Sequence, residues 1–105
     1  MKESVDKIIY INTLIDFYGD LLSERQRKII IDYYEENLSL SEIAENDNIS
    51  RNAVYDALKK GEEALLYFES VLHLSEKRDN YISVLERLKN ENKIDEDTFN
   101  LLKGE

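Results

Sequence analysis

This sequence predicts an all-α fold, and three observations carry the prediction. The chain has no proline and three glycines in 105 residues, so little punctuates it and long helices are free to form. Apolar residues recur three and four positions apart over most of its length, the period of an amphipathic helix. Serines stand three positions ahead of Gln26 and Glu42, the pattern that caps a helix start reciprocally.

The first helix is expected over residues 3–19. Ile8, Ile11, Ile15, Tyr18 and Leu22 share a stripe that Leu14, Phe17 and Leu21 widen. Gly19 lies near its end, and residues 20–23 make a short connection. Ser23 and Gln26 form a capping box opening a second helix that runs to about Glu36. Gln26, Ile29, Ile30, Tyr33 and Tyr34 line its inner face. Ser39 and Glu42 form another box, opening a short third helix over residues 40–46. Asp47 and Asn48 make a turn, with Asn48 at a position that favours a left-handed backbone. Asparagine tolerates that conformation next best after glycine.

Ser50 caps a fourth helix that runs far beyond the turn. Val54, Leu58, Gly61, Leu65, Phe68 and Leu72 are spaced 4-3-4-3-4, a heptad-like seam. A glycine inside a helix costs about 1 kcal/mol relative to alanine, so Gly61 marks a close approach or a bend. The polar residues 75–80 are expected to interrupt the seam, which Tyr81, Ile82, Leu85 and Leu88 resume. Residues 80–92 are then a fifth helix or a continuation of the fourth. Asp95 caps a last short helix through Lys103, with Glu96 and Asp97 at its positive end and Phe99 and Leu102 docking it.

Residues 39–60 in this scheme form a helix-turn-helix. Ile43 and Ala44 lie on its first helix, Ile49 after the turn, and Val54 and Leu58 along its second. That spacing buries a shared apolar seam and leaves the outer face of the second helix free to enter a DNA major groove. Arg51, Asn52, Tyr55, Asp56, Lys59 and Lys60 fall on that face. Arginine bonds the guanine edge and asparagine the adenine edge in bidentate fashion, and Arg51 and Asn52 occupy the first turn, which reaches deepest. Lys59 and Lys60, further along, suit phosphates, and Arg25, Arg27 and Lys28 can add backbone contacts from the second helix. Asp56 opposes a nearby phosphate unless it reads a cytosine amine. The competing reading is a solvated helix face, since the geometry also occurs in proteins that bind no DNA.

At this length the chain is one domain: a helical core over residues 1–61, with the helix-turn-helix at 39–60, and a helical dimerisation extension over residues 62–105. The net charge of −9 opposes non-specific nucleic-acid binding. It is uneven, −5 over residues 62–105 and −2 over residues 21–61, and screening limits the reach of distant charge to about 8–10 Å. The seam from Val54 to Leu72 packs inside the monomer or against a second subunit. The small core favours a homodimer, which also supplies the two-fold symmetry of most such DNA readers. No cysteine is present, which excludes disulfides and cysteine-based zinc sites and fits a cytoplasmic location. Neither a signal peptide nor a run approaching about 20 apolar residues is evident, so no membrane insertion is expected.

Nothing in the chain suggests an enzyme or a cofactor. His73, the lone histidine, lacks a metal set and a nucleophile partner. The pairs Glu35-Glu36 and Glu62-Glu63 are adjacent residues about 100° apart on a helix, not a converging dyad. Asp95, Glu96 and Asp97 lack the glycine and distal glutamate of a calcium loop. Most of the seven tyrosines, including Tyr10, Tyr18, Tyr33 and Tyr34, lie on apolar stripes and are assigned to the core.

Residues 16–18, Leu21-Leu22, residues 23–27, Tyr33-Tyr34, residues 39–45 and residues 50–56 together resemble the YlxM family of small bacterial helix-turn-helix proteins. The stretch Ser50-Arg51-Asn52-Ala53-Val54-Tyr55-Asp56, followed by a lysine pair and Glu62, is its most specific part. The resemblance covers residues 10–75. It implies an all-helical protein without a wing, whose helix-turn-helix is similar to the promoter-recognising region 4 of sigma factors. It also implies a regulator associated with the signal recognition particle pathway. The alternative it leaves is an adaptor that contacts the signal recognition particle protein or RNA without binding DNA.

Overall fold

Side-chain caps set where most of the helices begin. In the computed structural model, which describes residues 3–104, Ser4 accepts from the Lys7 N–H and opens α1, Val5–Tyr18. A short 3-10 turn, Gly19–Leu21, leads to the Ser23–Gln26 capping box and α2, Glu24–Tyr34. The Ser39–Glu42 box opens α3, Leu40–Asp47. The Ser50 hydroxyl accepts from the Ala53 N–H at 3.0 Å and opens α4, Arg51–Leu72. Then come α5, Leu74–Asn90, and α6, Glu96–Lys103, the latter capped by Asp95 through the Thr98 N–H at 2.6 Å. Among the described residues every regular element is helical.

The chain divides into two compact units, residues 1–72 and residues 73–105. In the first, α4 packs against α1, α2 and α3. Its buried face, Val54, Leu58, Gly61 and Leu65, meets Ile11, Leu14, Ile15 and Tyr18 of α1, Ile29, Ile30 and Tyr34 of α2, and Ile43 and Ala44 of α3 in one core. The first four positions of the seam are therefore occupied inside the monomer. Phe68 is half-buried, 6.0 Å from the Tyr18 ring, and the seam runs out at Leu72, which is exposed.

Gly61 is a point of close approach. α4 runs straight through it, and a Cβ there would sit 3.3 Å from Ile30 Cδ1. A methyl group there would press on the flexible end of Ile30, and a larger side chain would push α2 away.

The structure departs from the sequence reading at several places. The polar residues 75–80 are helical and belong to α5. Glutamate, lysine and arginine are good helix formers, and from Glu76 on the polarity marks solvent exposure, while Ser75 is buried. The break falls instead at His73, whose left-handed backbone (φ 54°) separates α4 from α5. Helix α2 stops at Tyr34, two residues early, because Asn37 takes a left-handed conformation that lets Glu36 and Leu38 close on Ile31 and Asp32 carbonyls. Tyr10 and Leu21, assigned to buried stripes, are exposed, and so is Leu102.

The second unit is a helical hairpin, α5 against α6. Leu85 and Phe99 are its buried apolar side chains, and the ammonium groups of Lys89 and Lys103 lie 4.3 and 5.3 Å from the Phe99 ring centre. The Tyr81 hydroxyl donates to the Leu102 carbonyl at 3.0 Å.

Candidate nucleic-acid interface

The turn between α3 and α4 is built by backbone closure. Asn48 adopts φ 56° and ψ 46°, and its N–H closes on carbonyls at the end of α3, while the Ile49 N–H bonds the Ala44 carbonyl at 3.1 Å. Ile49 packs half-buried against the core. Ile43, Val54 and Leu58 are buried, so the two helices share an apolar seam as their spacing requires.

With that seam inside, Arg51, Asn52, Tyr55, Asp56, Lys59 and Lys60 all face solvent. Among the described residues none of these six makes an ion pair. The mixed arrangement in which Asp56 neutralises Lys59 or Lys60 is therefore absent there. Arg25 and Lys60 line the same shallow groove, of about 320 Å³, where the start of α2 meets α4, and Asp56 shares its rim. Thus Arg25 joins the exposed face of α4.

The other two cations assigned to this surface are engaged. The Lys28 ammonium lies 2.8 Å from both Asp32 and Asp47, tying α2 to the end of α3. Those two carboxylates, Asp32 foremost, raise the lysine above its ordinary range. Arg27 lies 3.4 Å from Asp20. Both side chains are exposed, but their charge is shared with carboxylates.

Behind the exposed face lies a group that the sequence reading missed as a unit. Glu62, on α4, is buried and accepts from the Tyr34 hydroxyl at 2.9 Å. Lys7 on α1 stands 3.3 Å from it and also pairs with Glu3. Burial, then the bond to Glu62, pushes the Tyr34 hydroxyl far above the usual phenol range. The hydrogen bond from Lys7 holds Glu3 below the carboxylate range, and Glu3 in turn raises Lys7. Leu58, Glu62 and Leu65 share the buried helical spacing, and that spacing was the available signal.

Among the described residues no cluster of three or more His, Cys, Asp or Glu side chains is placed to hold a metal, and no helix is long and apolar enough to cross a membrane.

Comparison with known proteins places this geometry. The family model described as "Putative helix-turn-helix protein, YlxM / p13 like" (UPF0122) matches residues 5–104. The UPF0122 protein of Oceanobacillus iheyensis is 45% identical over 85 residues, covering 81% of this chain and 81% of its own. That of Malacoplasma penetrans is 42% identical over 86 residues, 82% of this chain and 80% of its own. That of Caldanaerobacter subterraneus is 42% identical over 84 residues, 80% of this chain and 72% of its own. A match across nearly the whole chain, on a helix-turn-helix that the residues themselves build, shows that this chain belongs to the YlxM / p13-like family.

Proposed function

We propose that this protein is a DNA-binding regulator that reads duplex DNA as a homodimer. The carrying observation is the outer face of α4: Arg51, Lys59 and Lys60 are exposed and, among the described residues, form no ion pair, Lys59 acting on the Glu3 carboxylate only as a weak, more distant charge. Cations free of carboxylates release counterions on meeting phosphate, which paired ones do less well. In this reading Arg51, Asn52 and Tyr55 touch base edges, Lys59, Lys60 and Arg25 touch phosphates, and Arg27 and Lys28 contribute through their shared charge. The reaction it performs is recognition alone, with no cofactor, in the cytoplasm, and its regulatory role touches the signal recognition particle pathway.

A second reading is favoured by the net charge of −9. An acidic helical protein suits a basic partner, and an adaptor contacting the signal recognition particle protein or its RNA would use the same fold. Selection from random duplex DNA, with signal recognition particle RNA in parallel across a salt series, separates the two. Enrichment of a duplex sequence with affinity falling steeply in salt supports the regulator. Binding of the RNA alone overturns it in favour of the adaptor, and silence on both overturns nucleic-acid binding.

A further inference from the structure

Helix α1 has two faces of different chemistry. Ile11, Leu14, Ile15 and Tyr18 are buried in the core of the first unit. At about 100° per residue the opposite side carries Asp6, Ile9, Thr13 and Asp16, flanked by Val5, Tyr10 and Phe17. Ile9 and Tyr10, at its middle, are 60% and 43% exposed. Asp6 and Asp16 are exposed near its two ends, and among the described residues neither forms an ion pair. The face is an apolar stripe with a carboxylate toward each end.

Charge says what fits there. Lys7 is the one basic residue of α1, and it is engaged by Glu3 and Glu62. Helix α4 runs beside α1, joined to it by that pair and by the Tyr18 hydroxyl, which donates to Glu69 at 2.7 Å. Its residues 61–72 hold Glu62, Glu63 and Glu69 and no lysine or arginine. Of the two lysines just before them, Lys59 acts on Glu3, and Lys60 lines the groove against α2. Arg27 is drawn to Asp20. Asp16 stands in the last turn of α1, where the negative end of the helix disfavours a carboxylate and no basic residue of that turn offsets it. A second copy of this face cannot supply the missing cations. Laid antiparallel it sets Asp6 against Asp16, and laid parallel it sets each aspartate against itself, so like charges meet either way.

We propose that the outer face of α1 docks a basic amphipathic helix of another protein. Apolar side chains of that helix cover Ile9 and Tyr10, and its lysines or arginines meet Asp6 and Asp16. These two carboxylates are ten residues apart, about 15 Å along the axis, so the partner's cations stand about three turns apart on one face. The site lies on α1, away from Arg51, Asn52 and Tyr55, so the protein can hold this helix and present its α4 face together. The proposal gives the basic partner of the adaptor reading a place on the fold but does not rest on it. It is measured without DNA or RNA, so it and either reading fail separately.

The test titrates the full chain with a synthetic amphipathic helix of leucine and lysine, about fourteen residues long, followed by fluorescence anisotropy and by amide NMR shifts. Saturable binding is expected, with shifts concentrated in residues 5–17. Ile9→Ser, at an exposed position, and the double variant Asp6→Lys/Asp16→Lys should each raise the dissociation constant about tenfold while circular dichroism is unchanged. The same double variant should gain affinity for a leucine–glutamate peptide of the same pattern, which a merely unfolded protein would not do. Absence of binding overturns the proposal. So do shifts centred elsewhere, and so does equal binding of a peptide with the same leucines and lysines shuffled out of helical phase, which would reduce the effect to the attraction of the net charge of −9.

Discussion

Arg51 and Lys59 stand on one exposed helix eight residues apart, about 12 Å along the axis, and that distance separates their expected roles. Arg51, in the first turn, is placed for base edges, so Arg51→Ala is expected to relax sequence preference by about 1–3 kcal/mol at one position. Lys59→Ala is expected to weaken all sequences alike and to lower the salt slope by about one. Binding of both variants to a selected and a scrambled duplex checks this, and equal losses on both duplexes for both variants would remove the division. The exposure of these residues was readable from the spacing of Val54 and Leu58 alone, because each lies off the buried stripe. The pairing of Lys28 with Asp32, four residues on in the same helix, was readable too, but its pairing with Asp47 and that of Arg27 with Asp20 were not, since these carboxylates reach the cations only once α2 has packed. Glu62 was readable in principle, yet its charge argues for solvent and outweighed its phase. Its burial is tolerated because Tyr34 donates to it and Lys7 stands beside it. Glu62→Ala leaves the Tyr34 hydroxyl with only its longer bond to Glu3, at 3.4 Å, and is expected to cost about 1–3 kcal/mol in urea unfolding. In a double-mutant cycle with Tyr34→Phe the two losses should not add. Additive losses would mean that the pair does not act together.

The helices were legible wherever a cap or a stripe is local, as with Ser23, Ser39, Ser50 and Asp95, whose side chains bond backbone three residues on. The helix ends were less so, because Asn37 and His73 end helices by taking a left-handed backbone that no neighbouring residue announces. Gly61 and Asn48 give this scale its test. At Gly61 a methyl group meets the flexible end of Ile30 at 3.3 Å, so the gain in helix propensity, about 1 kcal/mol, offsets the contact. Gly61→Ala is expected to be near neutral, whereas Gly61→Leu wedges α2 from α4 and costs about 1–3 kcal/mol. At Asn48 the strain is conformational: Asn48→Gly is expected to hold or raise the melting temperature, and Asn48→Val to lower stability by about 1–2 kcal/mol. Thermal melts of the four variants check both positions. If Gly61→Leu melts with the wild type, the close packing of α2 on α4 is wrong.

Across the whole molecule, the bonds that bring α1, α2 and α4 together in the first unit are also its titrating ones, which gives its stability a definite dependence on pH. Glu3 is held below its ordinary value of 4.5, chiefly by the hydrogen bond from Lys7. The stability it contributes is present above that value and is lost as pH falls through its folded one. Tyr34 and Lys7 are shifted the other way, Tyr34 by burial and then Glu62, Lys7 by its bond to Glu3, from ordinary values of 10.0 and 10.5. Their contributions are complete below those values and are lost as pH rises beyond them, because the unfolded chain releases protons that the folded one retains. The urea midpoint should therefore be flat across neutral pH and fall in both directions, below about 4 and above about 10. The two limbs respond differently to salt. Glu3 and Lys7 are partly exposed and their pairing is screened, so their share of the acid limb should shrink in high salt, while the shares of the cap carboxylates Glu42 and Asp95, lowered by bonds at Ser39 and Thr98, remain. Tyr34 is buried against Glu62, so its share of the alkaline limb should persist there and be removed by Tyr34→Phe, which leaves the shares of Lys7 and Tyr33. An alkaline limb unchanged in Tyr34→Phe would mean that the phenol titrates alike in the folded and unfolded chains. The buried bond that joins α2 to the candidate reading helix would then have no part in holding that helix in place.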